Sequence, residues 1–253
     1  MGSPEVASSG KRAKVGRPPR ISRERIAEAA HELGLERLTL RDVADHLGVS
    51  IAALYYHVSS KEDLMRLAAE YTAGRLPLPE DHGQHWAVWL YEWALYNRDA
   101  FVAQPGLLAQ YVDGAISAEV IAGSVDAILG VLVRQGFGII EAFEAYELVI
   151  SCALGTAVSL IREREAAEAG RSMLAVGQVP NDAGGAPLVH LRRLVEEMAT
   201  AGRDPFHVRI GTVLRGIAAR FDLDWAPVQA ALDEAVAARR RRPRPGRALG
   251  AGQ

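Results

Sequence analysis

The residues from Thr39 to Val58 leave a chain few choices. Leu40, Val43, Ala44 and Leu47 fall at i, i+3, i+4 and i+7, the spacing of one helix face. Thr39 with Asp42 three positions on is a capping-box pattern, and Gly48 stops the helix after two turns. A second helix starts after Ser50 and runs to about Val58, with Leu54 and Val58, four apart, turned inward. The chain must reverse sharply between the two. Gly48 can take the positive φ this needs, and Ala44 is small enough for the helices to cross over it. The result is a helix-turn-helix whose second helix is forced to present Ile51, Ala52, Ala53, Tyr55, Tyr56 and His57 outward. Its length suits a DNA major groove.

Helical periodicity continues on both sides, and no useful stretch alternates with period two, so the expected fold class is all-α. Ser22 reads as the N-cap of a first helix, with Ile26, Ala30 and Leu33 on one face and Gly34 at its end. Ser60-Lys-Glu-Asp63 opens a fourth helix that stops before Pro77 and Pro79. Long helices are expected at about 84–102, 106–114, 118–135, 141–168, 187–201 and 205–222, with a weaker one at 225–240. Gly136 is a C-cap candidate, and 170–186 reads as a Gly-rich loop. The expected organisation is a basic disordered leader (1–20), a small helix-turn-helix head (21–75) and a larger helical body (80–222). A tail (223–253), partly helical and then Arg-rich, follows.

Charge divides the chain the same way. The formal net charge is only −2, yet residues 11–75 carry 12 basic against 9 acidic residues, and residues 76–238 carry 11 against 21. Six arginines and no acid follow Glu234. A basic end on an acidic body points to a polyanion-binding head. The single cysteine, Cys152, excludes a disulfide framework and any Cys-rich zinc module. No apolar run approaches the about 20 residues of a membrane helix, and the N-terminus lacks the apolar segment of a signal peptide. The expected setting is cytoplasmic, with no membrane partner.

The run from Thr39 to Leu64 resembles the DNA-binding domain of TetR-family transcriptional regulators. Its most diagnostic part is Leu54-Tyr-Tyr-His-Val58 followed by Lys61 and Leu64. The aromatic pair followed by His is nearest to the tetracycline-repressor branch. The match covers about residues 22–73, and a weaker likeness through Gln135-Gly-Phe137 and Gly155 extends to about residue 222. The resemblance implies that Arg41 reads a base, its fork suiting guanine O6 and N7. It implies backbone or base contacts for Tyr55 and His57 and a phosphate anchor at Lys61. Thr39, Ser50, Ile51, Ala52, Ala53 and Tyr56 complete the expected DNA-facing set. Ile51 and Ala52 can read only apolar features such as thymine methyls. The alternative for Tyr55 and Tyr56 is packing, and for Lys61 a solvated charge. Arg17, between Gly16 and Pro18, is placed to enter a minor groove, the alternative being a non-specific tail.

In the body, Trp86, Leu90, Trp93, Asn97 and Phe101 recur on one face of a helix. An amide in an aromatic stripe suits a ligand cavity as well as plain core. Trp86, Trp89, Trp93, Asn97, Phe101 and Tyr111 are the ligand candidates, with Arg98, Gln104 and Gln110 weaker. Asp81-His82-x-x-His85 has metal-like spacing but no clear further ligand, and no metal is expected. Cys152 reads as a small apolar side chain. Ile210, Val213, Leu214, Ile217 and Phe221 form an apolar seam, while 151–159 is rich in small residues. The resemblance implies that these two helices pair with their symmetry mates, with Cys152 and Gly155 at the interface. Intramolecular core is the alternative.

No Gly-rich phosphate loop, nucleophile grouping or paired carboxylates appear, so no enzyme is expected. The leading expectation is a homodimeric repressor released from a palindromic double-stranded operator by a small-molecule effector, with no other cofactor. An effector-independent regulator or activator, and more remotely an all-α enzyme with a helix-turn-helix head, are the competing readings.

Overall fold

The computed structural model describes residues 21–36, 38–171, 188–201 and 205–241. The described residues contain eleven α-helices and no strand. Four short helices come first: α1 (Arg23–Leu33), α2 (Leu40–Leu47), α3 (Ile51–Tyr55) and α4 (Lys61–Ala73). The body follows as α5 (Trp86–Ala103), α6 (Pro105–Val112), α7 (Ala118–Arg134), α8 (Ile139–Glu168), α9 (Val189–Ala201), α10 (Pro205–Arg220) and α11 (Trp225–Arg241).

The local signals act as the sequence implies. Ser22, Ser50 and Ser60 cap α1, α3 and α4 by accepting a hydrogen bond from the backbone N–H three residues on. Thr39 and Asp42 close a full capping box. Gly48 takes the left-handed conformation (φ 65°, ψ 37°), and its N–H bonds back to the end of α2. Leu54 and Val58 are buried with Val43 and Ala44 in the core of the head. Leu33 departs from expectation at 42% exposed, because Leu35 and Leu38, just past Gly34, fill the space beneath α1 instead. The regular part of α3 is also shorter than expected. It gives way at Tyr56 to a turn in which both His57 and Val58 bond to the Leu54 carbonyl.

The body is organised around α5 against α8, the most extensive helix pair in the molecule. α10 and α11 pack against the same α5, while α6 and α7 meet α4 from the other side. At that junction the head is seated closely: a Cβ placed on Gly106 of α6 would come within 2.8 Å of the Leu35 Cβ. α8 is long and apolar enough to match a membrane span by composition, contrary to expectation, with a window of mean hydropathy 1.4. Packing explains part of its apolar surface: Ala142, Val149, Ala153 and Ala157 are buried, while Ile139, Ile140, Phe143, Leu148 and Leu160 are exposed. The helix expected at 225–240 is α11, which buries Val228 and Leu232 against the body.

The seam expected on α10 faces the other way. Ile210, Leu214 and Ile217 are fully buried within the protomer, and Val213 and Phe221 are half-buried against the same core. Ile210, Leu214 and Ile217 have no free surface to give a partner chain, whereas Val213 and Phe221 keep part of theirs. The helix is amphipathic as read, but its apolar stripe turns toward α5 and α8.

Asp63 ties the head together. Its carboxylate accepts from the Ser59 N–H (2.9 Å) and hydroxyl (3.2 Å), from Arg23 (3.2 Å) and from Arg66 (2.6 Å). Arg23 also donates to the His57 carbonyl, so α1, the end of the α3 turn and α4 meet at one carboxylate. The Arg23 hydrogen bond, then the Ser59 N–H, hold the Asp63 carboxyl well below the usual carboxylate range. A depressed carboxyl contributes stability that is complete above its unfolded value, about 3.9, and is lost as the pH falls toward the folded value. Both guanidinium groups are partly solvated, which trims the effect. Asp63→Asn is expected to cost about 1–3 kcal/mol at pH 7. It should also flatten the fall in stability below about pH 4. Denaturant titrations of both proteins at pH 3 and pH 7 check this: an equal loss at the two pH values would show that the carboxylate charge is not what holds the head.

Candidate nucleic-acid interface and body cavity

The outward side of the helix-turn-helix is polar at its edges and apolar at its tip. Ile51 and Ala52 are exposed and Ala53 half-buried, with Tyr55 53% and Tyr56 89% exposed. Both tyrosines thus lie outside the packed core of the protomer. His57 is half-buried, its backbone fixed by Arg23. Arg41 is exposed on the first turn of α2 and Lys61 on the first turn of α4. Thr39 and Ser50 are committed to capping: the Thr39 hydroxyl donates to Asp42 (2.6 Å) and accepts from its N–H, and Ser50 accepts from the Ala53 N–H. Arg17 lies outside the described residues.

Arg23 and Asp63 are the residues that local reading misses. Asp63 looks like the partner of its own cap, Ser60, and Arg23 like one more leader charge. Only the packing of α1 on α4 brings them together and lets them set the position of the α3 turn.

In the body, four of the six ligand candidates line one cavity: Trp93, Asn97, Phe101 and Tyr111. The remaining wall comes from Ala73 of α4, Tyr96 of α5 and Leu107 of α6, from α7 and α8, including Ile128, Tyr146 and Ile150, and from Leu76-Pro77-Leu78, which leads out of α4. The cavity volume is about 60 Å³. Asn97 is 7% exposed, and its amide Nδ2 donates to the Trp93 carbonyl at 2.9 Å. Trp93 lies against Tyr146 (5.5 Å between centroids), and Phe101 meets Tyr111 edge-on. Burial pushes the Tyr146 phenol well above its usual range, with the neighbouring Tyr111 adding to the shift. Burial also raises Tyr96.

Trp86 and Trp89 do not reach the cavity. Trp86 packs edge-on against Phe137, and Trp89 stacks on Trp93 and donates from Nε1 to the Pro79 carbonyl at 3.2 Å. Seen down the axis Trp86 shares a face with Asn97, but eleven residues at 1.5 Å each separate them by roughly 16 Å along it. The weaker candidates also lie elsewhere. Arg98 pairs with Asp99 and covers the Phe206 ring, Gln104 lies beside Leu35, and Gln110 is near Arg66. A larger groove of about 610 Å³ lies between α10 and α11, beside the Tyr91–His207 hydrogen bond of 2.7 Å. It is edged by Arg215 and Asp233. The smaller cavity is lined by aromatic rings and few polar groups, the lining chemistry expected of a ligand site.

The metal-like trio serves structure. Asp81 pairs with Arg134 (2.8 Å), which holds its carboxyl below the usual range, and the His85 ring accepts from the Ala87 N–H as the cap of α5. Cys152 is half-buried, and burial pushes its thiol upward, the opposite of a redox-reactive cysteine.

Comparison with known proteins agrees with this geometry. Residues 24–68, from α1 into α4, match the family described as bacterial regulatory proteins, tetR family. An HTH-type transcriptional regulator of Saccharopolyspora erythraea is 27% identical over 162 residues, 62% of this chain and 69% of that protein. Among solved structures, Streptomyces coelicolor ActR in complex with actinorhodin superposes with a TM-score of 0.58 at 20% identity, covering 79% of this chain and 96% of ActR. TetR from Acinetobacter baumannii AYE gives 0.54 at 25% identity, covering 79% and 97%. A helix-turn-helix head, an all-helical body and these likenesses converge: the head of the chain matches the DNA-binding domain of the TetR family, and the chain is similar to TetR-family transcriptional regulators.

Proposed function

We propose that this regulator is a homodimeric repressor that leaves a palindromic operator when a small molecule occupies the body cavity. The observation that carries the reading is the cavity lining itself, which joins Asn97 on α5 to Leu76-Pro77-Leu78 at the exit of α4. A molecule seated there touches the segment that connects body to head. Two half-sites about one helical turn apart, ~34–36 Å, tolerate little change in the separation of the two α3 helices. Effector binding then favours a state whose heads no longer match the duplex. ActR, of the same fold, was solved with actinorhodin, but the reading here rests on this chain's own cavity.

In this reading residues 21–75 form the DNA-binding head and 80–222, extended by α11, the effector and dimerisation body. Arg41 reads a base, Lys61 anchors a phosphate, Tyr55, Tyr56 and His57 meet backbone and base edges, and Ile51, Ala52 and Ala53 meet apolar groups. Arg17 supplies a minor-groove contact. Thr39 and Ser50 support the surface as caps. For the dimer, the buried α10 stripe is replaced by outward strips of small residues: Ser151, Cys152, Gly155 and Ser159 on α8, with Thr212 and Gly216 on α10. A Cβ on Gly155 or Gly216 would meet nothing within 4 Å in the protomer, so both positions are open to a second chain.

Protection of a two-fold-symmetric stretch of the DNA upstream of its own gene, in a footprint with purified protein, is the expected result. Protection with no symmetry would defeat the dimer reading. Arg41→Ala should lower affinity by about 1–3 kcal/mol and relax preference at one base pair per half-site. Lys61→Ala should weaken all sequences alike and make the salt dependence shallower by about one unit. An equal loss on every sequence for Arg41→Ala would remove it as a base reader. For assembly, Gly155→Arg is expected to sediment as a folded monomer. Ile217→Asp, which puts a charge into the protomer core, should lose helical circular dichroism altogether. A folded, monomeric Ile217→Asp would return the seam to α10's buried stripe.

A further inference from the structure

The cavity walls contain no Asp, Glu, Lys, Arg or His among the described residues. They are built from aromatic rings (Trp93, Tyr96, Phe101, Tyr111, Tyr146) and branched aliphatic side chains, with Asn97 and Ser124 as the remaining polar groups. Burial raises the phenols of Tyr96 and Tyr146, so both stay protonated at neutral pH and the wall carries no charge of its own. A carboxylate or ammonium held here would lose its hydration and find no counter-ion, a cost that hydrogen bonds from phenols and one amide do not offset. Flat apolar groups find ring faces and edges on several sides.

Asn97 sets the polarity of the one directional contact. One N–H of its amide already goes to the Trp93 carbonyl, the only hydrogen bond its side chain makes within the described protein. The amide oxygen is left as an acceptor in a side chain that is more than nine-tenths buried. A bound molecule satisfies it by presenting an O–H or N–H.

The room available adds a second constraint. About 60 Å³ is far below the roughly 300–1,000 Å³ of sites that hold whole small molecules. The cavity must therefore widen to be filled. α5 and α8, which share the most extensive helix contact among the described residues, form one wall. Leu76-Pro77-Leu78 is the wall without helical support: Leu76 N–H bonds to the Ala73 carbonyl, and Pro77 has no N–H to offer.

We propose that the cavity takes an uncharged, flat, largely apolar molecule with a hydrogen-bond donor directed at the Asn97 amide oxygen, and that it makes room by displacing Leu76-Pro77-Leu78. The inference rests on the reading of this cavity as the effector site and names the class of effector. It also gives that effector its mechanical action, because the wall that yields is the one continuous with α4.

Four probes of one shape test it on the whole chain at pH 7: naphthalene, 2-naphthol, 2-naphthoate and the cationic 2-naphthylmethylammonium, each measured by titration calorimetry. 2-Naphthol is expected to bind at least tenfold more tightly than either charged congener, and more tightly than naphthalene. Asn97→Leu should abolish the advantage of naphthol over naphthalene while leaving naphthalene bound. Hydrogen exchange of the peptide spanning 73–80 should quicken when naphthol is present. A charged probe that binds as tightly as naphthol overturns the ligand class but keeps the cavity as a site. Unchanged exchange across 73–80 overturns the displacement. If no probe binds, the cavity reading and the inference fall together. If naphthol binds by these rules yet leaves operator affinity unchanged, the ligand class stands and the effector reading falls.

Discussion

The burial of α5 is the interaction on which the remaining structure depends. Eleven of its eighteen residues are buried, on all sides rather than one. Such a helix can exist in water only if other helices surround it. α8 covers its longest side, α10 and α11 close another, and Trp89 draws the connector in by a hydrogen bond to Pro79. The connector is held at its other end by Arg134 on Asp81 and by the Gln135 amide on the Gln84 carbonyl. One core helix thus positions the cavity wall, the connector and the helices that carry the outward face of the body.

The joint between head and body has a different character. Leu35 lies directly on Gly106, and α4 lies along α6. This is close steric contact, so relative movement must occur as a jump between two packed arrangements rather than as a gradual slide. Within the head, by contrast, the Asp63 cluster is polar and directional. It fixes the α3 turn against α1 and α4, so a displaced α4 carries the reading surface with it as a unit.

Features set by neighbours in sequence were legible without coordinates. The caps at Ser22, Thr39, Ser50 and Ser60, the left-handed Gly48 and the inward Leu54 and Val58 all depend on residues within a turn or two. What a helix faces does not. The apolar stripe of Ile210, Leu214 and Ile217 has the same period whether it meets α5 and α8 or a second chain, and only tertiary packing separates the two. Trp86 shares a stripe with Asn97 because periodicity measures angle around an axis and ignores distance along it, while Trp89, roughly 80° off that stripe, turns to the Pro79 carbonyl. Tyr146 and Leu76–Leu78 belong to the cavity through contacts between distant segments, for which the spacing of residues holds no signal. Arg23 and Asp63 were hidden for the same reason.

The distribution of tryptophan has a consequence of another kind. All four, Trp86, Trp89, Trp93 and Trp225, lie in the body, and the described head has none. Indole emission is therefore blind to the surface that meets DNA. Trp93 borders the cavity and Trp89 is stacked on it at 6.5 Å, so excitation of either ring samples one shared electronic neighbourhood. The molecule carries a built-in optical reporter on one side of its joint and spectral silence on the other. Any change in that light on adding duplex must have crossed from head to body.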